Sequence, residues 1–340
     1  MADITLVNAY AVSSTEYHRY LPLGTLYVAS AAEQAGYSVD FRDYQQYKAK
    51  NLFDLNTFIS FLDNSVDVIG VGCSSDFVPL VLLAFQQIKA DDPNKTLILG
   101  GPGASSIPSN VLNEFPCVDI LVRGEAEQTI VELLNRSFQQ LEVVRGIAYR
   151  DCDGGVHVNA DRPRIPNLDN IPLPAYHKVN MKSYDYIYMI TSRGCTYKCG
   201  FCDCAPIWGY RNKTRSIANC IDEFEILMNL CGGIMIRLAD DTFVLSRKRA
   251  VDFCNTILSR DLNPTWGCFA RINLMDEELM GIMAHSGCSL VYYGVESGSN
   301  SVLQKINKGF TKEEIQRIIA LSTKYFDQVT TRYTRTKKVK

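Results

Sequence analysis

No stretch of this 340-residue sequence approaches the about 18 consecutive apolar residues that crossing a bilayer requires, and no basic segment precedes the apolar start at Met1–Val7. A cytoplasmic protein without leader or membrane span is the expectation. An excess of one charge is also missing. Lys and Arg total 35 against 37 Asp and Glu, a net charge of -2, which argues against nucleic acid or an anionic membrane as partner and leaves small molecules. There is no low-complexity tract and no GxGxxG fingerprint of dinucleotide binding. Histidine is scarce, at four residues, and none of His18, His157, His177 or His285 lies in an Asp-x-His-x-x-Gly pattern. Hydrophobic residues at 46% and charged residues at 21% are ordinary for a compact globular chain, and the length suits two domains.

Cysteine, by contrast, is plentiful, at twelve residues. With no secretory signal, disulfides are not expected. Cys73, Cys117, Cys231, Cys254, Cys268 and Cys288 stand among Val, Leu, Ile and Gly, as buried small hydrophobes do.

The apolar pattern predicts strands at 3–9, 39–44, 66–73, 96–100 and 119–123, with helices at 24–36, 52–64 and 79–90 between them. Such alternation implies a Rossmann-like doubly wound parallel sheet over residues 1–140, with its ligand crevice at the strand C-terminal ends. Those ends carry Ser74-Ser75, Gly100-Gly101-Pro102 and Gly124-Glu125, residues that let backbone approach a bulky ligand or that simply make tight turns. Residues 141–183, with the Asp153-Gly154-Gly155 turn and Pro163, Pro166, Pro172 and Pro174, read as a connection containing a hairpin. Four further βα repeats then fill 184–326, with strands at 186–191, 234–239, 265–270 and 289–295 and helices at 217–230, 247–260, 276–285 and 312–325. They predict a partial (β/α) barrel with its chemistry on the loops that follow each strand.

The first strand of that second domain runs into Cys195-Thr196-Tyr197-Lys198-Cys199-Gly200-Phe201-Cys202, a CxxxCxxC spacing. Thiolates hold iron–sulfur clusters, and three on one loop leave one iron of a [4Fe–4S] cluster open to a substrate. Zinc knots usually arrive as paired CxxC elements with a distant fourth ligand. Cys204 reads as a bystander.

This loop and its strand resemble the signature of the radical S-adenosylmethionine (SAM) superfamily, and together with the N-terminal domain the chain resembles its cobalamin-binding branch. The segments Leu21-Pro22-Leu23-Gly24 and Val122-Arg123-Gly124-Glu125 stand where that branch has similar ones, as does the linker Asn167–Pro172. The resemblance implies a cluster on Cys195, Cys199 and Cys202 whose open iron chelates SAM. One electron from an external donor then splits the sulfonium to a 5′-deoxyadenosyl radical. It implies SAM contacts at Phe201, at Asp240 or Asp241 for the amino group, at Arg271 for the carboxylate, and at Glu296 and Ser297. Cobalamin, held base-off for want of a histidine, is implied over Pro22, Gly24, Ser74, Ser75, Gly100, Gly101, Pro102, Gly124 and Glu125. The implied reaction is methyl transfer to an unactivated carbon or phosphinate centre of a small-molecule or peptide-derived substrate. Rearrangement or cyclisation without cobalamin is the alternative. A full barrel of this family has six βα units, whereas here a fifth strand is barely begun at Phe326–Thr331, ahead of a basic tail at 327–340. A partner chain or a dimer covering the unfinished edge, or an inactive cluster-bearing fragment, therefore also stands as an expectation.

Overall fold

A computed structural model describes residues 2–10, 18–47 and 51–333. The described chain separates into two units, one of residues 1–165 and 170–185, the other of 166–169 and 186–340.

The first unit alternates β1 (Ile4–Ala9), α1 (Leu23–Gln34), β2 (Val39–Asp43), α2 (Leu55–Leu62), β3 (Val68–Cys73), α3 (Val78–Asp91), β4 (Thr96–Gly100), α4 (Pro102–Ser105), α5 (Pro108–Glu114), β5 (Ile120–Val122) and α6 (Glu127–Asn135). The hairpin β6 (Ile147–Arg150) and β7 (Val156–Val158) completes it. The sheet order is β2-β1-β3-β4-β5-β6-β7, with the first five strands parallel and the hairpin antiparallel. The near-continuous apolar strands reflect burial on both faces: every residue of β1 is buried. The hairpin read from sequence as part of a connection thus extends the first sheet. Its register sets Ile120 to Val122 against Tyr149 to Ile147, which covers the edge that β5 would otherwise expose.

The second unit contains β8 (Ile187–Met189), β9 (Ser192–Arg193), α7 (Cys204–Trp208), β10 (Lys213–Thr214), α8 (Ile217–Cys231), β11 (Ile236–Leu238), α9 (Arg247–Ser259), β12 (Trp266–Ala270), α10 (Glu277–His285), β13 (Cys288–Glu296), α11 (Asn300–Lys305), α12 (Lys312–Ser322) and β14 (Gln328–Tyr333). Its parallel sheet runs β14-β13-β12-β11-β8. The fifth strand is therefore a correction to the sequence reading. Gln328–Tyr333 pairs in parallel with Leu290–Glu296, so Arg332 and Tyr333 belong to a strand despite their polarity. The rest of the basic tail, 334–340, lies outside the described residues.

Four helix starts of this unit carry side-chain caps. The side chains of Ser216, Ser246 and Asp276 accept from the backbone N–H three residues on, and Thr311 with Glu314 forms a capping box. Between helices and sheet, fully buried Trp266 packs edge-on against Phe243 and Phe253, and its indole N–H donates to the Ser286 carbonyl at 2.9 Å.

Candidate cluster and cofactor sites

The loop that follows β8 is held in place from both ends. Gly194 has φ +99°, and a Cβ there would run into the Arg211 carbonyl and the Trp208 side chain, so only glycine allows the loop to pass. The Gly194 N–H donates to Asp241 at 2.9 Å, and its carbonyl accepts from Asn212 at 2.6 Å. At the far end the Gly200 N–H donates to the Ile306 carbonyl at 3.0 Å, and Asn307 donates to the Lys198 carbonyl at 2.8 Å. Cys195, Cys199 and Cys202 are free and half-buried on this loop.

Among the described residues, no group of three His, Cys, Asp or Glu side chains could hold a single metal ion. A cluster asks for something else, since each thiolate takes its own iron at a separate corner of the cube. Three unbridged, half-exposed thiols on one anchored loop fit that donor set. Cys204, at the start of α7, differs from them. Burial and the hydrogen-bonded Asp241 carboxylate push its thiol well above the ordinary range, which keeps it protonated.

Asp240 follows β11 and is 2% exposed. Its carboxylate accepts from the Thr191 N–H (2.6 Å) and hydroxyl (2.5 Å) and from the Ser192 N–H (3.1 Å) and hydroxyl (2.9 Å). A carboxylate offers about four acceptor positions, and here all are taken. In this arrangement Asp240 tethers the root of the cluster loop, while Asp241 holds Gly194. Burial raises the Asp240 pKa, and the four donors oppose that shift.

Arg271, at the end of β12, is buried under the same loop. Its Nη1 donates to Cys199 Sγ at 3.3 Å and its Nε to Asn273 at 2.9 Å, while the guanidinium lies 3.8 Å from the Tyr197 ring centroid. Glu296 ends β13 at a bulge and in the left-handed region, φ +69°, a strained conformation for a residue with a side chain. It faces Lys308 at 3.4 Å, both side chains under 10% exposed. Lys308 also lies 5.2 Å from the ring centroid of Phe201, which is 40% exposed. Ser297 accepts from the Ser299 N–H at 3.1 Å. Phe201 thus stands on the cysteine loop, Arg271 reaches Cys199, and Glu296 is linked to Phe201 through Lys308. Lys308 escaped the sequence reading, because a lysine between two short helices carries no signal until the fold buries it.

In the first unit, the strand ends divide into filled and open positions. A Cβ on Gly101 (φ +93°) would meet the Cys73 backbone, and one on Gly103 the Ser75 backbone, so these glycines serve loop-to-loop packing. Gly24 and Gly124 have nothing within 4 Å of a Cβ, Gly100 has only ordinary contacts, and Ser75 is exposed. Pro22 is buried at the start of α1, Pro102 opens α4, and Ser74 donates to Asp76 at 2.5 Å. Glu125 accepts from the Ile165 N–H at 2.8 Å. Small side chains and backbone line this rim. His157 pairs with Asp151 at 2.7 Å and His177 with Glu33 at 3.0 Å, both away from it. None of the rim residues named here is a histidine, and backbone with small side chains suits a bulky, flat ligand. A second group unforeseen from sequence sits beside this rim. Asp43, at the end of β2, accepts from Asn8 (2.9 Å), Tyr184 (2.7 Å) and the Gln45 N–H (3.2 Å), all of them buried.

Comparison with known proteins agrees with this division. The sequence profile of the B12 binding domain matches residues 11–134, and that of the radical SAM superfamily matches 189–335. The chain is 30% identical over 307 residues to the uncharacterized methyltransferase PH0819 of Pyrococcus horikoshii, covering 86% of this chain and 64% of that protein. It is 32% identical over 269 residues to the anaerobic magnesium-protoporphyrin IX monomethyl ester cyclase of Rubrivivax gelatinosus, covering 74% and 48%. Among solved structures, the cobalamin-dependent SAM radical enzyme OxsB, with aqua-cobalamin and SAM bound, superposes with a TM-score of 0.80 at 21% identity, over 96% of this chain and 49% of that one. This chain therefore spans about half to two thirds of the length of these proteins.

Proposed function

This chain belongs to the cobalamin-binding radical SAM proteins, and from that premise we propose that it cleaves SAM reductively at a [4Fe–4S] cluster and transfers a methyl group from cobalamin to a small-molecule substrate. When bound, the cluster supplies one electron to the SAM sulfonium and methylcobalamin supplies the methyl group.

The observation that carries the reading is the anchored loop with Cys195, Cys199 and Cys202, tied by Asp240, Asp241, Asn307 and the Arg271 contact to Cys199. Cys195, Cys199 and Cys202 are the ligands in this proposal, and the loop's tethers spare them the entropy of ordering. Asn273 holds Arg271 by its Nε, and Arg271 keeps Cys199 turned inward. Lys308 neutralises Glu296, so the bulge at the end of β13 presents polar groups to SAM without an isolated buried charge. Phe201 and Ser297 complete that edge. On the first unit, the open rim at Gly24, Gly100, Gly124 and Ser75 is where the corrin is assigned.

Ring closure is the second reading, favoured by the likeness to a cyclase. Anaerobic reconstitution with iron, sulfide and cobalamin should load roughly four irons per chain and, with SAM and a strong reductant, release 5′-deoxyadenosine. Full cluster loading with no nucleoside product would overturn the proposal, and a dehydrogenated rather than methylated product would select the second reading.

A further inference from the structure

The sheet of the second unit has a face turned away from its helices, and side-chain alternation identifies who occupies it. Trp266, Cys268 and Tyr293 face the helices; the Tyr293 hydroxyl, for example, pairs with Ser322 of α12 at 2.8 Å. Tyr188 on β8, Arg237 on β11, Phe269 on β12 and Tyr292 on β13 therefore lie on the opposite face, and all four are half-buried.

Arg237 is the unusual member. Its guanidinium carbon sits 3.8 Å from the Tyr186 ring centroid, and its Nη1 donates to the Tyr292 hydroxyl at 2.8 Å. Of the five N–H groups of an arginine, one is spent on that bond, and no carboxylate among the described residues pairs with it. The acids at the ends of β11 and β13 are committed elsewhere: Asp240 to Thr191 and Ser192, Asp241 to Gly194, Glu296 to Lys308. The Tyr292 hydroxyl accepts from Arg237 and still has its own proton to give, while its ring stacks on Phe269 with centroids 5.0 Å apart. A planar fork beside a phenol donor matches a carboxylate or a phosphoryl group far better than a neutral one. The stacked rings beside it offer a flat apolar surface. Across the register, Arg332 adds a second, exposed cation to this face, while the Glu296 carboxylate beside Gly294 is paired with Lys308.

We propose that Arg237 and Tyr292 receive an anionic group of the substrate, a carboxylate or a phosphate or phosphonate, with the adjoining part of the substrate lying on Phe269 and Tyr292. The inference rests on the reading above, because it makes that anion part of the molecule that is turned over.

The test is calorimetric titration of the whole chain with benzoate and with phenylphosphonate, against benzamide as the uncharged counterpart. Both anions, or the one that names the substrate class, should bind at least about tenfold more tightly than benzamide. Arg237→Gln should remove that preference, Arg237→Lys should keep it with several-fold weaker binding, and Tyr292→Phe should weaken the anions alone. Benzamide bound as well as the anions, or anion binding untouched by both Arg237→Gln and Tyr292→Phe, would overturn the assignment. So would a loss that follows Arg332→Gln instead. If Arg237→Gln does not fold, the lysine and phenylalanine variants decide the question. Iron content and 5′-deoxyadenosine release measured on the same preparations separate the two claims. A chain that loads no cluster but shows Arg237-dependent anion binding refutes the function and leaves this site standing, and a cluster-loaded chain blind to anions does the reverse.

Discussion

Two carboxylates buried at strand ends, Asp43 and Asp240, solve the same physical problem in opposite halves of the chain. Each has lost its water and replaced it with hydrogen bonds to neighbouring donors, and for each the loss of water prevails, so that its pKa rises. Asp43 offers the cleaner measurement, since it is remote in sequence from the cluster loop. Its folded-state value lies above the ordinary 3.8, so the folded chain holds that proton more tightly than the unfolded one. The stability it contributes is thus fully present below about pH 3.8 and is lost as pH rises through the raised value. Asp43→Asn cannot titrate. Urea unfolding at stepped pH should show wild-type stability falling relative to the variant as pH rises through the weakly acidic range, then running parallel above it. Parallel curves throughout would mean that Asn8, Tyr184 and Gln45 hold the charge as well as water does. None of these partners was visible in the sequence, because Asn8 and Tyr184 reach Asp43 only through the tertiary fold.

At the scale of elements, the βα rhythm was readable because strands buried on both faces are nearly continuous apolar runs and many of the helices between them begin at a proline or a capping residue. What spacing could not say is which glycine does what. Gly24 and Gly101 look alike in sequence, both small residues near the ligand edge. In the fold, Gly101 has φ +93° and ψ 172°, a region open essentially to glycine, and it abuts the Cys73 backbone. Gly24 lies inside α1, exposed, with nothing near a Cβ. Gly101→Ala should therefore lower stability by about 1–3 kcal/mol or more, whereas Gly24→Ala should raise it by about 0.5–1 kcal/mol through helix propensity. Chemical denaturation of both variants checks this, and shifts of the same sign would contradict the distinction. β14 shows the converse limit. Its residues, Gln-Val-Thr-Thr-Arg-Tyr, carry no apolar run, and pairing with β13 makes the strand where composition does not.

For the whole molecule, the division of labour was legible and the chemistry of the sites only partly so. The cysteine triad announces itself by spacing within eight residues, whereas Lys308, Arg237 and Tyr184 acquire their roles only by converging on partners from distant segments. Local motifs survive in one dimension; charge neutralisation and stacking do not. The two units have separate sheets, with the corrin assigned to the first and the cluster to the second. The corrin rim named here is built from residues of the first unit, so removing the cluster ligands should leave those residues in place. Replacing Cys195, Cys199 and Cys202 together by Ala should abolish iron loading while leaving cobalamin stoichiometry at the wild-type level, and Cys204→Ala, which removes only a protonated thiol beside Asp241, should keep the full iron load. Iron, sulfide and cobalt analysis of anaerobically reconstituted protein reads all of these at once. Loss of cobalamin from the triple variant would show that the corrin site needs the cluster loop, and loss of iron from Cys204→Ala would make that thiol a ligand after all.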